Sequence, residues 1–123
     1  MDNLIFSHIS IDGHKNAVVS VTGMLYEDIE HTDILTLSNL SPTPRAIRIE
    51  GVTFAIQEKM GFQLYWRTLH GYELIMPIES RGFFNFDVMQ GLHSPKDTIG
   101  LSVSSFGCKD LKSFLILLDL TKQ

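Results

Sequence analysis

The sequence predicts an all-β protein: an antiparallel β-sandwich, jelly-roll-like, with seven to eight strands. Three observations predict it. Apolar residues recur with a period of two along most of the chain, the spacing of a strand with one buried face. Turn residues separate these runs so that strands start about 10–15 residues apart, as in sandwiches and small barrels. No stretch of about eleven or more residues keeps a helical period.

The first run sets Ala17, Val19 and Val21 against Val18, Ser20 and Thr22. A short apolar and Thr-rich strand is expected over Ile34 to Leu37. Ile47 and Ile49 then alternate with Arg48 and Glu50, but the next apolar set, Val52, Phe54 and Ile56, has the other parity. One extra residue near Glu50-Gly51 would return both sets to one face, so a β-bulge is expected there. Phe62, Leu64 and Trp66 form the next face, with Gln63, Tyr65 and Arg67 opposite. Phe84, Phe86 and Val88 read as a strand, as do Ile99, Leu101 and Val103. Phe114, Ile116, Leu118 and Leu120 close the series.

Asp12-Gly13, Ser41-Pro42-Thr43-Pro44, Met60-Gly61, His70-Gly71, Arg81-Gly82, Ser94-Pro95 and Phe106-Gly107 supply the turns. The best helix candidates, Asp28 to Asp33 and Asp110 to Ser113, are very short. The 123 residues suit one domain over 16–123, preceded by an N-terminal arm over 1–15.

Ten Lys and Arg stand against fourteen Asp and Glu, a net charge of −4. That leaves little with which to build a basic face, so no nucleic-acid partner is expected. The single cysteine, Cys108, excludes an intramolecular disulfide. The opening Met1-Asp2-Asn3-Leu4-Ile5-Phe6 lacks the form of a signal peptide. The longest apolar run, Phe114 to Leu118, falls far short of the roughly 20 residues of a membrane span, so no membrane partner is expected.

Chemistry-bearing side chains are scattered. Glu27, Asp28, Glu30, His31 and Asp33 crowd one segment, but without the glycine and distal glutamate of a calcium loop. A solvated acidic connection is the expectation. His8, His14, His31, His70 and His93 form no HxH, HxxxH or HExxH pair, so no metal site is expected. There is no GxSxG elbow, no phosphate-binding GxxxxGK(S/T) loop and no GxGxxG fingerprint. Cys108 has no catalytic signature beside it. The expectation is a non-enzyme with no catalytic residues and no cofactor.

Alternation puts Trp66 in the core and turns Tyr65 and Arg67 outward. The last strand carries a second apolar face, Leu115 and Leu117, where a sandwich strand normally reads polar. Exposed apolar patches mark association sites. Cover is expected from a loop, another sheet edge or another subunit, and the apolar Leu4, Ile5, Phe6 and Ile9 of the arm could supply it, within the chain or on a neighbour.

The order of motifs resembles small structural proteins of tailed bacteriophages. The resemblance runs over about residues 16–122. It rests on Ser38-Asn39-Leu40-Ser41-Pro42-Thr43-Pro44 ahead of a strand, Leu64-Tyr65-Trp66, Pro77 to Phe86, Gly91-Leu92-His93-Ser94-Pro95, Thr98 to Ser104, and an apolar strand ending in Thr121-Lys122. Two places depart from the pattern. Leu64-Tyr65-Trp66-Arg67 stands where Leu-Glu-Trp-Asp is expected, and Gly100-Leu101-Ser102 where Gly-Asp-Ile is expected. The resemblance implies a virion component made in the host cytoplasm. A capsid cement or decoration protein would bind copies of itself, a trimer among the forms, and the major capsid protein or another virion protein. Candidate interface residues are Leu4, Ile5, Phe6, Tyr65, Arg67, Leu115 and Leu117. The alternatives are a carbohydrate-binding module of a tail or fibre, presenting Tyr65, Tyr72 or Phe83, and a head–tail neck component.

Overall fold

The computed structural model describes residues 2–123. Its strands are β1 (Leu4–Asp12), β2 (Asn16–Leu25), β3 (Thr32–Thr36), β4 (Ile47–Ile56), β5 (Gly61–Thr68), β6 (Gly71–Glu79), β7 (Arg81–Asn85), β8 (Leu92–His93), β9 (Thr98–Phe106) and β10 (Lys112–Lys122). All pairings are antiparallel. The larger sheet has the order β1-β2-β10-β4-β7, with β8 also on β4, and the smaller has β3-β9-β5-β6.

The pairs nest. β5·β6 lies inside β4·β8, which lies inside β3·β9, which lies inside β2·β10, and successive pairs fall in alternate sheets. The chain is thus one long hairpin rolled over itself, which is a jelly roll. The expected all-β antiparallel sandwich is the fold. β1, β6 and the two-residue β8 raise the count among the described residues to ten.

The two inner faces meet in one core. Val19, Val21, Ile47, Ile49, Val52, Ile116 and Leu118 come from the larger sheet, and Phe62, Leu64, Leu101 and Val103 from the smaller; all are fully buried. Trp66 is buried, as its alternation requires. The expected bulge lies at Glu50. Asp119 pairs with Gly51 and the next residue, Leu120, pairs with Ile49, so Glu50 is skipped. That extra residue lets Ile47, Ile49, Val52, Phe54 and Ile56 all face inward despite their change of parity.

Four expectations differ from the structure. Residues 4–12 do not hang free as an arm. They pair along their length with β2 as the sheet's edge strand, and Ile5 and Ile9 pack against the core. The Ser7 hydroxyl also donates to the Ile34 carbonyl of the other sheet. Neither short helix forms: both stretches run into strands, β3 and β10, and neither is long enough to repay helix nucleation. The Phe84–Phe86–Val88 strand stops at Asn85, because a 3-10 turn, Asp87–Met89, with left-handed Gln90 turns the chain. Val88 is wholly exposed. β6 goes unpredicted because its Leu74-Ile75-Met76 run does not alternate, a consequence of the bulge between Leu64 and Tyr65 in its pairing with β5.

Candidate functional site

The interior of the roll offers no chemistry. Among the described residues Thr98 and Ser102 are the polar residues buried as a whole, and no three His, Cys, Asp or Glu come together as a metal would need. The crowded acidic segment is dispersed by the fold. The Asp28 carboxylate accepts from the Ser105 hydroxyl (3.0 Å) and the Cys108 amide (2.9 Å). Asp33 pairs with Arg67 at 3.0 Å. His31 turns to two tyrosines. Cys108 lies under this latch. Burial, reinforced by the nearby Asp28 and Asp110 carboxylates, pushes its thiol up, which makes it a poor nucleophile.

The surface is more informative. Register puts Leu115 between Thr22 of β2 and Ala55 of β4, and Leu117 between Ser20 and Thr53. The same rows reach Phe6 on β1, opposite Thr22, and Phe83 on β7, opposite Thr53. Leu4 and Met24 form the next pair. After the bulge at Ser10, Ile11 pairs with Val18 on this face too. Phe6 is 62% exposed, Phe83 73% and Ile11 57%. The outer face of the larger sheet therefore carries apolar side chains from edge to edge, set among Ser20, Thr22 and Thr53, and none of the described residues covers it. Leu115 and Leu117, on a strand flanked by β2 and β4, are half-buried. Beside them a groove of about 490 Å³ over Gly51 is lined by Ile11, Val18 and Phe83 together with the carboxylates Glu50, Asp87 and Asp119. It exists because Gly51 contributes no side chain there.

The candidate interface residues thus divide three ways. Leu4, Phe6, Leu115 and Leu117 share this face. Ile5 points inward, opposite Gly23. Tyr65 and Arg67 lie on the outer face of the smaller sheet, on the other side of the sandwich. Sequence reading missed Met24 and Ile11 as members of the apolar face, since a bulge and a hairpin register had to be known to place them.

The smaller sheet's outer face has its own cluster. The His31 ring stacks on Tyr72 at 3.7 Å with planes 3° apart, and meets Tyr65 edge-on at 4.5 Å. Tyr65 donates its hydroxyl to Gln63 and accepts from Ser104. Arg67 donates to Thr36 at 2.8 Å besides its pairing with Asp33. Tyr72 remains 46% exposed. His31 reaches the cluster from the β2–β3 connection, so no sequence spacing announces it.

An open cleft of about 930 Å³ at one end of the roll is lined by charges of both signs, among them Glu58, Glu79, Arg81 and Lys112.

No family model and no curated protein matches the chain. Among solved structures it is similar to a cupin domain from Bordetella pertussis Tohama I, with 8% identity over 97% of this chain and 94% of that one, at a TM-score of 0.40. It is also similar to a sugar phosphate isomerase of the cupin superfamily from Silicibacter pomeroyi DSS-3, with 11% identity over 97% of this chain and 60% of that one, TM-score 0.34. An RmlC-like cupin protein from Desulfovibrio desulfuricans shows 12% identity over 94% and 81%, TM-score 0.34. The jelly-roll assignment rests on this chain's own strand order.

Proposed function

We propose that this chain is a non-enzymatic structural protein of a bacteriophage particle, a capsid cement or decoration protein that assembles with copies of itself and with the capsid lattice. One observation carries the reading: apolar side chains run across the larger sheet's outer face, from Phe6 on β1 through Leu115 and Leu117 on β10 to Phe83 on β7, although the core is complete without them. Contiguous apolar faces of that extent mark association sites. The ordered sequence motifs point to the particle, and the fold fits a part that bridges subunits. Many weak copies on a lattice gain avidity without a tight single contact.

The test is composition. Gradient-purified particles of the virus carrying this sequence, analysed by quantitative mass spectrometry, are expected to contain the chain in fixed ratio to the major capsid protein. Its absence from particles, with abundant chain in the infected cell, would overturn the reading.

The His31–Tyr65–Tyr72 cluster favours a second reading, a carbohydrate-binding module. Exposed aromatic rings flanked by planar polar groups suit sugar rings. A glycan array is expected to show binding that Tyr72→Ala abolishes; a blank array removes this reading.

A further inference from the structure

We propose that two copies of the chain pair face to face through the outer faces of their larger sheets, around a two-fold axis passing near Leu117. The inference rests on the assembly reading above and names its first partner: a second copy, seated on this sheet and not on the smaller one.

Area is the first argument. Strands of nine, ten, eleven, ten and five residues, at ~3.4 Å per residue and ~4.8 Å spacing, make a face of about 730 Å², close to the roughly 800 Å² that each partner contributes to a standard stable interface. A second copy of the same sheet matches that footprint by construction.

Charge is the second. The molecule carries −4 overall, which opposes random self-contact. This face does not share that charge. It carries the Asp119 carboxylate, the Arg81 guanidinium, the His8 imidazole, and Arg48 paired with Glu50, with Asp87 at the rim of the groove. Charges of both signs nearly balance there, so two copies approach through this face with little repulsion.

Shape is the third. A two-fold interface must be self-complementary. This face carries both projecting rings, Phe6 and Phe83, and a groove over Gly51. Leu117 lies on the central strand, in the row that joins His8, Ser20, Thr53 and Phe83. The pairing leaves Tyr65 and Arg67 facing outward on both copies, free for a different partner.

The experiment combines solution mass with cross-linking. Light scattering behind size exclusion, over a concentration series, is expected to give twice 13.9 kDa. Leu117→Asn is expected to raise the dimer dissociation constant about tenfold or more, as for a central apolar contact, while circular dichroism and Tm stay near the parent's. If Leu117→Asn fails to fold, Phe83→Ser, at an exposed edge ring, reads the same loss. A short bismaleimide is expected to link Leu117→Cys to its own copy and not Tyr65→Cys; the native Cys108 is buried. A strict monomer, a trimer, or cross-linking through position 65 would overturn the pairing. Monomeric chain found in particles would overturn the pairing alone; a dimer absent from particles would overturn the virion reading alone.

Discussion

The Lys122 ammonium is buried against the Asp12 carboxylate, with only 5% of its side chain exposed. It also donates to the Gly13 carbonyl at 2.6 Å and the Ser41 carbonyl at 2.9 Å. An ammonium has three donors, and here each has an acceptor. The three acceptors lie at the end of β1, in the β1–β2 turn and in the loop between β3 and β4. One side chain from the last strand therefore ties the edge strand and a crossover loop to the centre of the larger sheet.

Lys122→Met is expected to destabilise the protein well beyond an ordinary surface substitution. It keeps the apolar stem but leaves Asp12 and two carbonyls without their donor. A fall in Tm of about 5 °C or more is the expected reading in a thermal melt. A change within a degree would mean that water replaces the ammonium at no cost.

Acid should find the same weak points. Hydrogen bonding from Lys122, with help from the Ser41 amide, holds the Asp12 carboxyl below its usual value of 3.8. Burial would raise Glu50, but hydrogen bonds from Thr121 and Arg48 outweigh it and hold the group below 4.5. Both folded-state values are depressed. Their contribution to stability is therefore complete above the unfolded values and lost as pH falls through the folded ones. Tm is expected to hold steady down to about pH 5 and to fall below it. Asp12→Asn should lower Tm at pH 7 and flatten the acid decline; an unchanged slope would remove Asp12 from the account.

Two close backbone approaches give a sharper packing test. A Cβ on Gly100 would lie 2.1 Å from the Leu35 carbonyl oxygen, and one on Gly23 would lie 2.0 Å from that of Leu4. In both places a neighbouring backbone, not a flexible side chain, must move. Gly100→Ala strains the β3–β9 pair inside the smaller sheet, and a cost of about 1–3 kcal/mol is expected. Gly23→Ala pushes β1 off β2 at an edge. It should show first as faster amide exchange over residues 4–8, with the rest of the larger sheet still protected. Uniform loss of protection would mean that β1 and the core open together.

Much of this fold can be read from side-chain period alone, and the bulge shows why. Ile49 and Val52 have opposite parity yet both are buried, and only one extra residue on β4 reconciles them. Where a strand is an edge, the period fails. β7 is exposed at every position, and β6 is broken by its own bulge. β1 hides in the sequence for the opposite reason: its apolar residues fall on both faces, with Ile5 and Ile9 toward the core and Leu4, Phe6 and Ile11 toward solvent. Leu115 and Leu117 announced an apolar outer face, but its reach to Phe83 depends on β7 pairing with β4. The His31–Tyr72 stack joins positions 41 residues apart through a loop, and no pattern marks it.

The thiol of Cys108 should be slow. Its Sγ faces the Leu25 and Asp110 carbonyls at 3.4 and 3.3 Å, in a buried site beside two carboxylates. Native protein at pH 8 is expected to react with a thiol reagent at least about a hundredfold more slowly than protein unfolded in denaturant. A comparable rate in both would mean that the latch from Asp28 to the Cys108 amide opens readily. Asp28→Ala, which removes that latch, should speed the native reaction.

Removing residues 1–10 separates a detachable arm from an edge strand that the fold needs. A detachable arm would leave Tm unchanged. Here the loss removes β1 from almost all of its pairing with β2, uncovers the core beneath Ile5 and Ile9, and breaks the Ser7 link to the smaller sheet. It also exposes β2 as a long new edge, which invites pairing with other chains. The truncated chain is expected to melt at least about 10 °C lower and to aggregate on heating. Ile9→Ala keeps the backbone ladder and removes only core contact. It should cost about 1–2 kcal/mol, less than a fully buried isoleucine, because Ile9 is half-buried. If the truncation costs no more than Ile9→Ala, the ladder between β1 and β2 adds nothing and the segment is an arm after all.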